Sequence, residues 1–133
     1  MSLKVLIVDD SPTMRRILKS ALRCVLPGLT EVLHAANGWQ GLDALVSSAA
    51  ANQPLSLILC DLHMPQMDGL DFLRHKRCRN LAPNVPLLLI TADPGNPRLL
   101  QAMAEGAQGF LTKPFTMQQV QERVVSVLHL PGK

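Results

Sequence analysis

The chain has 133 residues, enough for one domain with a proper hydrophobic core. Hydrophobic residues at 47% and charged residues at 17% describe a packed globule and exclude a disordered or fibrous chain. The net charge of +3 is mild, and aromatics at 3% with no tyrosine argue against a stacking platform for single-stranded nucleic acid.

Lys4–Val8 reads as the first strand, and its run "VLIV" suits burial on both faces. "MSLK" leads straight into it; no signal peptide and no apolar run of membrane-spanning length is found, so a cytoplasmic location is expected. Cys24, Cys60 and Cys78 form no CxxC spacing and fit thiols in a reducing compartment. Ser11 suits an N-cap and Pro12 the first helical position, so a helix starts where the strand stops. Met14, Ile17, Leu18, Ala21, Leu22 and Val25 give its apolar stripe. Glu31–Ala35 follows as a strand, then Asn37-Gly38 turns into a helix with Trp39, Leu42, Val46 and Ala49 along one side. Leu55–Cys60 is the third strand, and Gly69 to about Arg77 the third helix. His75 and Cys78, three apart on that helix, have the spacing of a metal pair, but two such residues alone do not make a site. Pro86–Ile90 is the fourth strand; the fourth helix runs from Arg98 to about Glu105, with Pro94, Gly95 and Pro97 crowding its start. Gly109–Thr112 is the fifth strand. Met117, Val120, Val124, Val127 and Leu128 stripe the last helix, which Pro131-Gly132 ends.

Five strands alternating with five helices imply βαβ units and a doubly wound parallel sheet in a three-layer α/β/α arrangement. Glu31 and His34 make the second strand polar enough for an edge. The expected fold is therefore α/β and flavodoxin-like, with strand order 2-1-3-4-5, in a single domain over 1–133 whose core spans about 3–128.

The carboxyl ends of parallel strands share one edge, where function collects. There the first strand delivers Asp9-Asp10, the third Asp61, the fourth Thr91 and the fifth Lys113 followed by Pro114. Three adjoining carboxylates cannot all stay ionised cheaply, so one takes up a proton or a cation binds. Oxygen ligands with room for water suit Mg²⁺ better than Ca²⁺. Asp9 or Asp10 acting only as a helix cap is the plainer reading, but it leaves Asp61 and Lys113 unexplained. A carboxylate is also a nucleophile toward phosphorus, provided cations and a hydroxyl hold the phosphoryl oxygens.

"VDDSPTMRR", "CDLHMPQMDGLDFL", "ITAD" and "FLTKPF" resemble, in order and spacing, the receiver domain of two-component response regulators, above all single-domain regulators of the CheY type. The match runs over roughly Leu3 to Leu128. The resemblance implies Asp61 as phosphoacceptor, Asp10 as a direct Mg²⁺ ligand, Asp9 acting through metal-bound water, and the His63 carbonyl completing the set. It implies Thr91 and Lys113 as holders of phosphoryl oxygens and a cis peptide before Pro114, with Pro65 and Gly69 shaping the loop after the acceptor. Thr91 and the aromatic at Phe110 would form the switch, moving inward on phosphorylation and altering the face made by the fourth helix, fifth strand and fifth helix. The donor would be a sensor histidine kinase, a histidine phosphotransfer protein or a small acyl phosphate, and the output a protein target. The chain would act as monomer or weak phosphorylation-dependent dimer, without binding nucleic acid or membrane, and would be no enzyme beyond self-catalysed phosphotransfer and autodephosphorylation.

Some positions depart from the family's common pattern. Phe110 stands where tyrosine is frequent and has no hydroxyl to bond, so weaker coupling to the output face is expected. His63 and Asp93 occupy the two positions that influence hydrolysis of the acyl phosphate, with either sign open for His63. Arg15, Arg16, Lys19 and Arg23 on the first helix, and Arg74, Lys76, Arg77 and Arg79 around the end of the third, read as solvated helix faces or as a rim that steers an acidic partner. A haloacid-dehalogenase-type phosphatase is the competing enzyme reading, but it needs DxD where this chain has "DDSP". A flavodoxin-like FMN carrier fits less well, because Asp9-Asp10 would repel a phosphate without an intervening metal. A receiver module belonging to a larger regulator remains an equal description of the same motifs.

Overall fold

Successive strand residues point to opposite faces of a sheet, and the first strand shows what that does here. In the computed structural model, which describes residues 2–129, the ten elements are β1 (Leu3–Val8), α1 (Pro12–Val25), β2 (Leu29–Ala35), α2 (Gly38–Ala50), β3 (Leu57–Asp61), α3 (Gly69–Cys78), β4 (Leu87–Thr91), α4 (Pro97–Ala104), β5 (Gly109–Thr112) and α5 (Met117–Leu128). Leu6 and Val8 enter one core with Leu42, Phe72, Leu89 and Leu99, under α2, α3 and α4. Val5 and Ile7 enter the other, with Leu18, Leu22, Val120 and Val124 under α1 and α5. Both faces being apolar is why the strands read as continuous hydrophobic runs.

The five strands lie in the order β2-β1-β3-β4-β5 and every pairing is parallel. The polar strand β2 is at one edge, as Glu31 and His34 foretell. Asp61 pairs with Ile90 and Thr91 with Thr112, so two candidate site residues belong to the ladder itself. β3 therefore starts and ends later than its sequence span, Leu55–Cys60. At its start Ser56 bonds Lys4 through both its N–H and its hydroxyl, and the regular ladder begins only at Leu57.

Caps fix where the helices begin. Ser11 accepts the Met14 N–H at 3.2 Å, with Pro12 opening α1. Asp68 and Asp71 form a reciprocal capping box at α3, as do Thr116 and Gln119 at α5. α4 begins at Pro97, not Arg98, because Asn96 caps it and proline at the first position needs no amide partner.

Several helix faces differ from expectation: Ile17 on α1 and Met117 on α5, both placed on apolar stripes by the helical period, are exposed. α2 buries Gly38, Gly41, Leu42 and Leu45, leaving Trp39 and Val46 exposed. A Cβ at Gly41 would meet Phe72 at 2.8 Å and Val8 at 3.0 Å, so the helix turns its glycine face inward to pack that closely. On α3, Lys76 is not part of a solvated face: it is 6% exposed and falls on the buried stripe with Gly69, Phe72 and Leu73. His75 lies against Trp39, ring centroids 5.2 Å apart, and among the described residues it joins no cluster of metal-ligating groups. The expected stop at Pro131-Gly132 lies outside the described residues; α5 ends at Leu128, capped by His129 in the left-handed region. No described helix is long and apolar enough to cross a membrane.

Candidate functional site

The carboxyl ends of β1, β3, β4 and β5 meet over the middle of the sheet, and their polar residues meet with them. Asp9 follows β1 directly and is anchored on every side but one. Its N–H donates to the Ala35 carbonyl at 3.0 Å, Oδ1 accepts the Ser11 N–H at 2.9 Å, and its carbonyl accepts from Arg15 Nη1 at 2.5 Å. Oδ2 is buried and has no hydrogen-bond partner. Asp61, the last residue of β3, is 4% exposed, and its Oδ1 accepts the His63 N–H at 3.3 Å. Asp10 is exposed at the rim. Carboxylate oxygens of Asp9, Asp10 and Asp61 lie within 4.8 Å of one another.

Lys113, the first residue past β5, brings its Nζ to 3.6 Å from Asp61 Oδ2 and 3.9 Å from Asp9 Oδ2. Its N–H donates to the Thr91 carbonyl at 2.8 Å, and the Lys113–Pro114 peptide is cis. One ammonium faces three carboxylates, and burial sharpens the imbalance. Desolvation raises the Asp61 pKa, with Lys113 and the His63 amide pulling it down and Asp10 pushing it up. Desolvation also raises that of Asp9, opposed by the Ser11 N–H and reinforced by Asp61. An orphaned buried carboxylate oxygen beside two further carboxylates is a donor set suited to a hard cation, and these residues can hold one.

Thr91 is fully buried at the end of β4. Its Oγ1 accepts the Asp93 N–H at 3.0 Å and faces the Asp93 carbonyl at 3.2 Å. A third neighbour of Thr91 is the side chain of His63, a residue whose sequence position points only to a backbone carbonyl for the cation and a side chain acting on water. The imidazole Nε2 sits 3.0 Å from Thr91 Oγ1. Nothing but its place two residues past Asp61 hinted at this in the sequence.

The loop from Asp61 to α3 closes tightly because Gly69 permits it. Its N–H donates to the Leu62 carbonyl at 3.0 Å, and a Cβ there would meet the Asp61 carbonyl oxygen and Leu62 Cα, each at 3.0 Å. Arg98 on α4 binds Asp68 through Nε and Asp71 through Nη2 at 3.1 Å, clamping the start of α3 to α4. Phe110 is half-buried against the α2–α4 core, with the Arg123 guanidinium 5.9 Å above its ring. Of the basic residues on α1, Arg15 is committed to the Asp9 carbonyl.

Residues 5–125 match the response regulator receiver domain family. The chain is 35% identical to chemotaxis protein CheY1 of Helicobacter pylori strain J99 over 127 residues, covering 95% of this chain and 97% of that one. It is also 35% identical over 126 residues to the glycerol metabolism activator of Pseudomonas putida, of which the match spans 54%. Chemotaxis protein CheY4 of Vibrio cholerae superposes with a TM-score of 0.78 at 31% identity, over 96% of this chain and 100% of that one. The sheet order, the acidic cluster at its carboxyl edge and these matches agree, and the chain belongs to the response regulator receiver domain family.

Proposed function

We propose that this receiver takes a phosphoryl group on Asp61 and passes the change to a protein partner through α4, β5 and α5. The single observation that carries the reading is Asp61 itself: a buried carboxylate at a strand end, beside Lys113, with Thr91 on the next strand. An Asp61 oxygen attacks phosphorus, the bond from phosphorus to the donor's imidazole nitrogen or acyl oxygen breaks, and the electron pair leaves with the donor. Lys113 offsets the charge gained, and the Thr91 hydroxyl donates to a phosphoryl oxygen. Mg²⁺ is the cation proposed for Asp9, Asp10, Asp61 and the His63 carbonyl, where it would neutralise the carboxylates and phosphoryl oxygens. The donor is a sensor histidine kinase or histidine phosphotransfer protein, in the cytoplasm.

The modification adds a charge of about −1.5 to −2 and three strong acceptors. A shift from 1:99 to 99:1 in favour of the active form requires about 5.5 kcal/mol, which the new bonds to Thr91 and Lys113 supply in part. In itself the chain is no enzyme beyond accepting and losing its own phosphoryl group. Incubation with acetyl phosphate and Mg²⁺ is expected to add one phosphoryl group by mass spectrometry, and none to Asp61→Asn. An adduct that persists in Asp61→Asn overturns the assignment. Steady turnover of a phosphate monoester would revive the phosphatase reading.

A further inference from the structure

At the opposite end of the sheet from the aspartates, between the C-terminus of α3 and the loops entering β4 and β5, lies a small polar cavity of about 170 Å³. Leu73, Pro83, Val85 and Leu87 make its apolar wall, and Lys76, Arg77 and Gln108 supply its donors. Lys76 occupies a stripe position where the helix period calls for an apolar residue, yet it is 6% exposed. Among the described residues, no carboxylate lies within ion-pair distance of its Nζ and no hydrogen bond engages it. Its one charged influence is another cation, Arg77, which acts with burial to lower its pKa. Its carbon stem is packed in the apolar wall, and its ammonium, which is not sealed from solvent, opens onto the cavity with no carboxylate paired to it.

The neighbouring groups narrow what pairs with that ammonium. Gln108 accepts the Leu87 N–H on its Oε1 at 2.8 Å, which leaves its amide N–H₂ to donate elsewhere. Glu105 also borders the cavity, but its carboxylate is already taken by Arg74 at 2.7 Å, Arg77 at 3.6 Å and Gln101 at 2.6 Å. A volume of about 170 Å³ is below the range of cofactor and nucleotide pockets, and suits a few heavy atoms.

We propose that this cavity binds a small oxyanion, a phosphate or a carboxylate group, held by Lys76 with Arg77 and Gln108. The site is separate from the phosphoryl chemistry at Asp61 and stands whether or not that reading does. It reads a small metabolite, or a single carboxylate or phosphate borne by a larger molecule, through the loops that set the near ends of β4 and β5.

The test is a titration of the full chain by NMR at constant ionic strength, one arm with inorganic phosphate, one with acetate and one with chloride. Saturable shifts are expected in the amides of Leu87, Gly106 and Gln108 and in the Lys76 ¹³Cε resonance, with phosphate, acetate or both, and not with chloride. Which arm saturates identifies the anion class. Lys76→Met, which restores an apolar stripe residue, is to abolish saturation, and Lys76→Arg is to retain it. Should Lys76→Met fail to fold, the Lys76 ¹³Cε shift in the unmodified chain decides alone. Shifts that never saturate, that chloride reproduces, or that survive in Lys76→Met overturn the proposal.

Discussion

The imidazole Nε2 of His63 stands 3.0 Å from the hydroxyl of Thr91, so the side chain two residues past Asp61 holds the hydroxyl on the neighbouring strand. Thr91 cannot turn its hydroxyl freely toward a phosphoryl group while this contact and the two to Asp93 persist. Losing one such hydrogen bond changes an equilibrium by about two- to tenfold. His63→Ala is therefore expected to bind beryllofluoride, with Mg²⁺ present, about two- to tenfold more tightly than the unmodified chain. A tighter or unaltered grip in the unmodified chain, measured by NMR titration, sinks this account.

The acidic cluster sets a pH dependence whose sign can be worked out. Asp9 and Asp61 have pKa values raised above the ordinary 3.8, so the folded chain binds more protons than the unfolded one in the window above that value. Their contribution to stability then falls as pH rises through that window. Asp68 and Glu105, the latter lowered to about 2, act in the opposite sense: their contribution is present above the unfolded values and lost on acidification. Comparison with Asp61→Asn isolates the first effect. In chelator, Asp61→Asn is expected to melt a few degrees, roughly 2–6 °C, above the unmodified chain at neutral pH, with the gap closing toward pH 4. Mg²⁺ is to raise the unmodified chain's melting temperature more than the variant's. A gap that widens on acidification contradicts the sign.

Asp68 does two jobs at the start of α3. It caps the helix through the Asp71 N–H at 2.9 Å and meets Arg98 from α4. The cap lies within one turn of one helix, whereas the guanidinium is largely exposed and screened. Asp68→Ala is expected to cost about 1–2 kcal/mol and Arg98→Ala less than about 1 kcal/mol, by urea unfolding. Equal costs would assign the stability to the ion pair.

Phe110 lies half in the core and half beneath Arg123, with no hydroxyl to bond in either place. Phe110→Tyr is expected to increase the beryllofluoride-induced shift changes over α4, β5 and α5. Equal changes in both proteins would falsify the idea that a missing hydroxyl limits the coupling.

Much of this was legible in the order of residues, because a doubly wound sheet writes its pattern locally. The central strands β1, β3 and β4 carry continuous apolar runs, and the site residues sit at a strand end or within two residues of it. Asp9, Asp61, Thr91 and Lys113 could be placed together from topology alone. What escaped depends on where a side chain turns once packed. The helical period places Trp39 on the apolar side of α2, but close packing at Gly41 turns the helix so that the indole faces outward. The charge of Lys76 points to a solvated face, but its register on α3 buries its stem. The His63 ring finds Thr91 across 28 residues of chain, a distance over which a single sequence carries no signal.

The two distances of Lys113 carry a further consequence. At 3.6 and 3.9 Å its ammonium is outside hydrogen-bond range of both carboxylates, which ends near 3.2 Å. It is tethered by field alone, like a compass needle between poles. When negative charge relocates beyond Asp61, Lys113 can swing after it without breaking a directional bond. An arginine there would dock its rigid fork on one partner and resist the swing. Lys113 is thus shared between Asp61 and Asp9 without a directional bond to either.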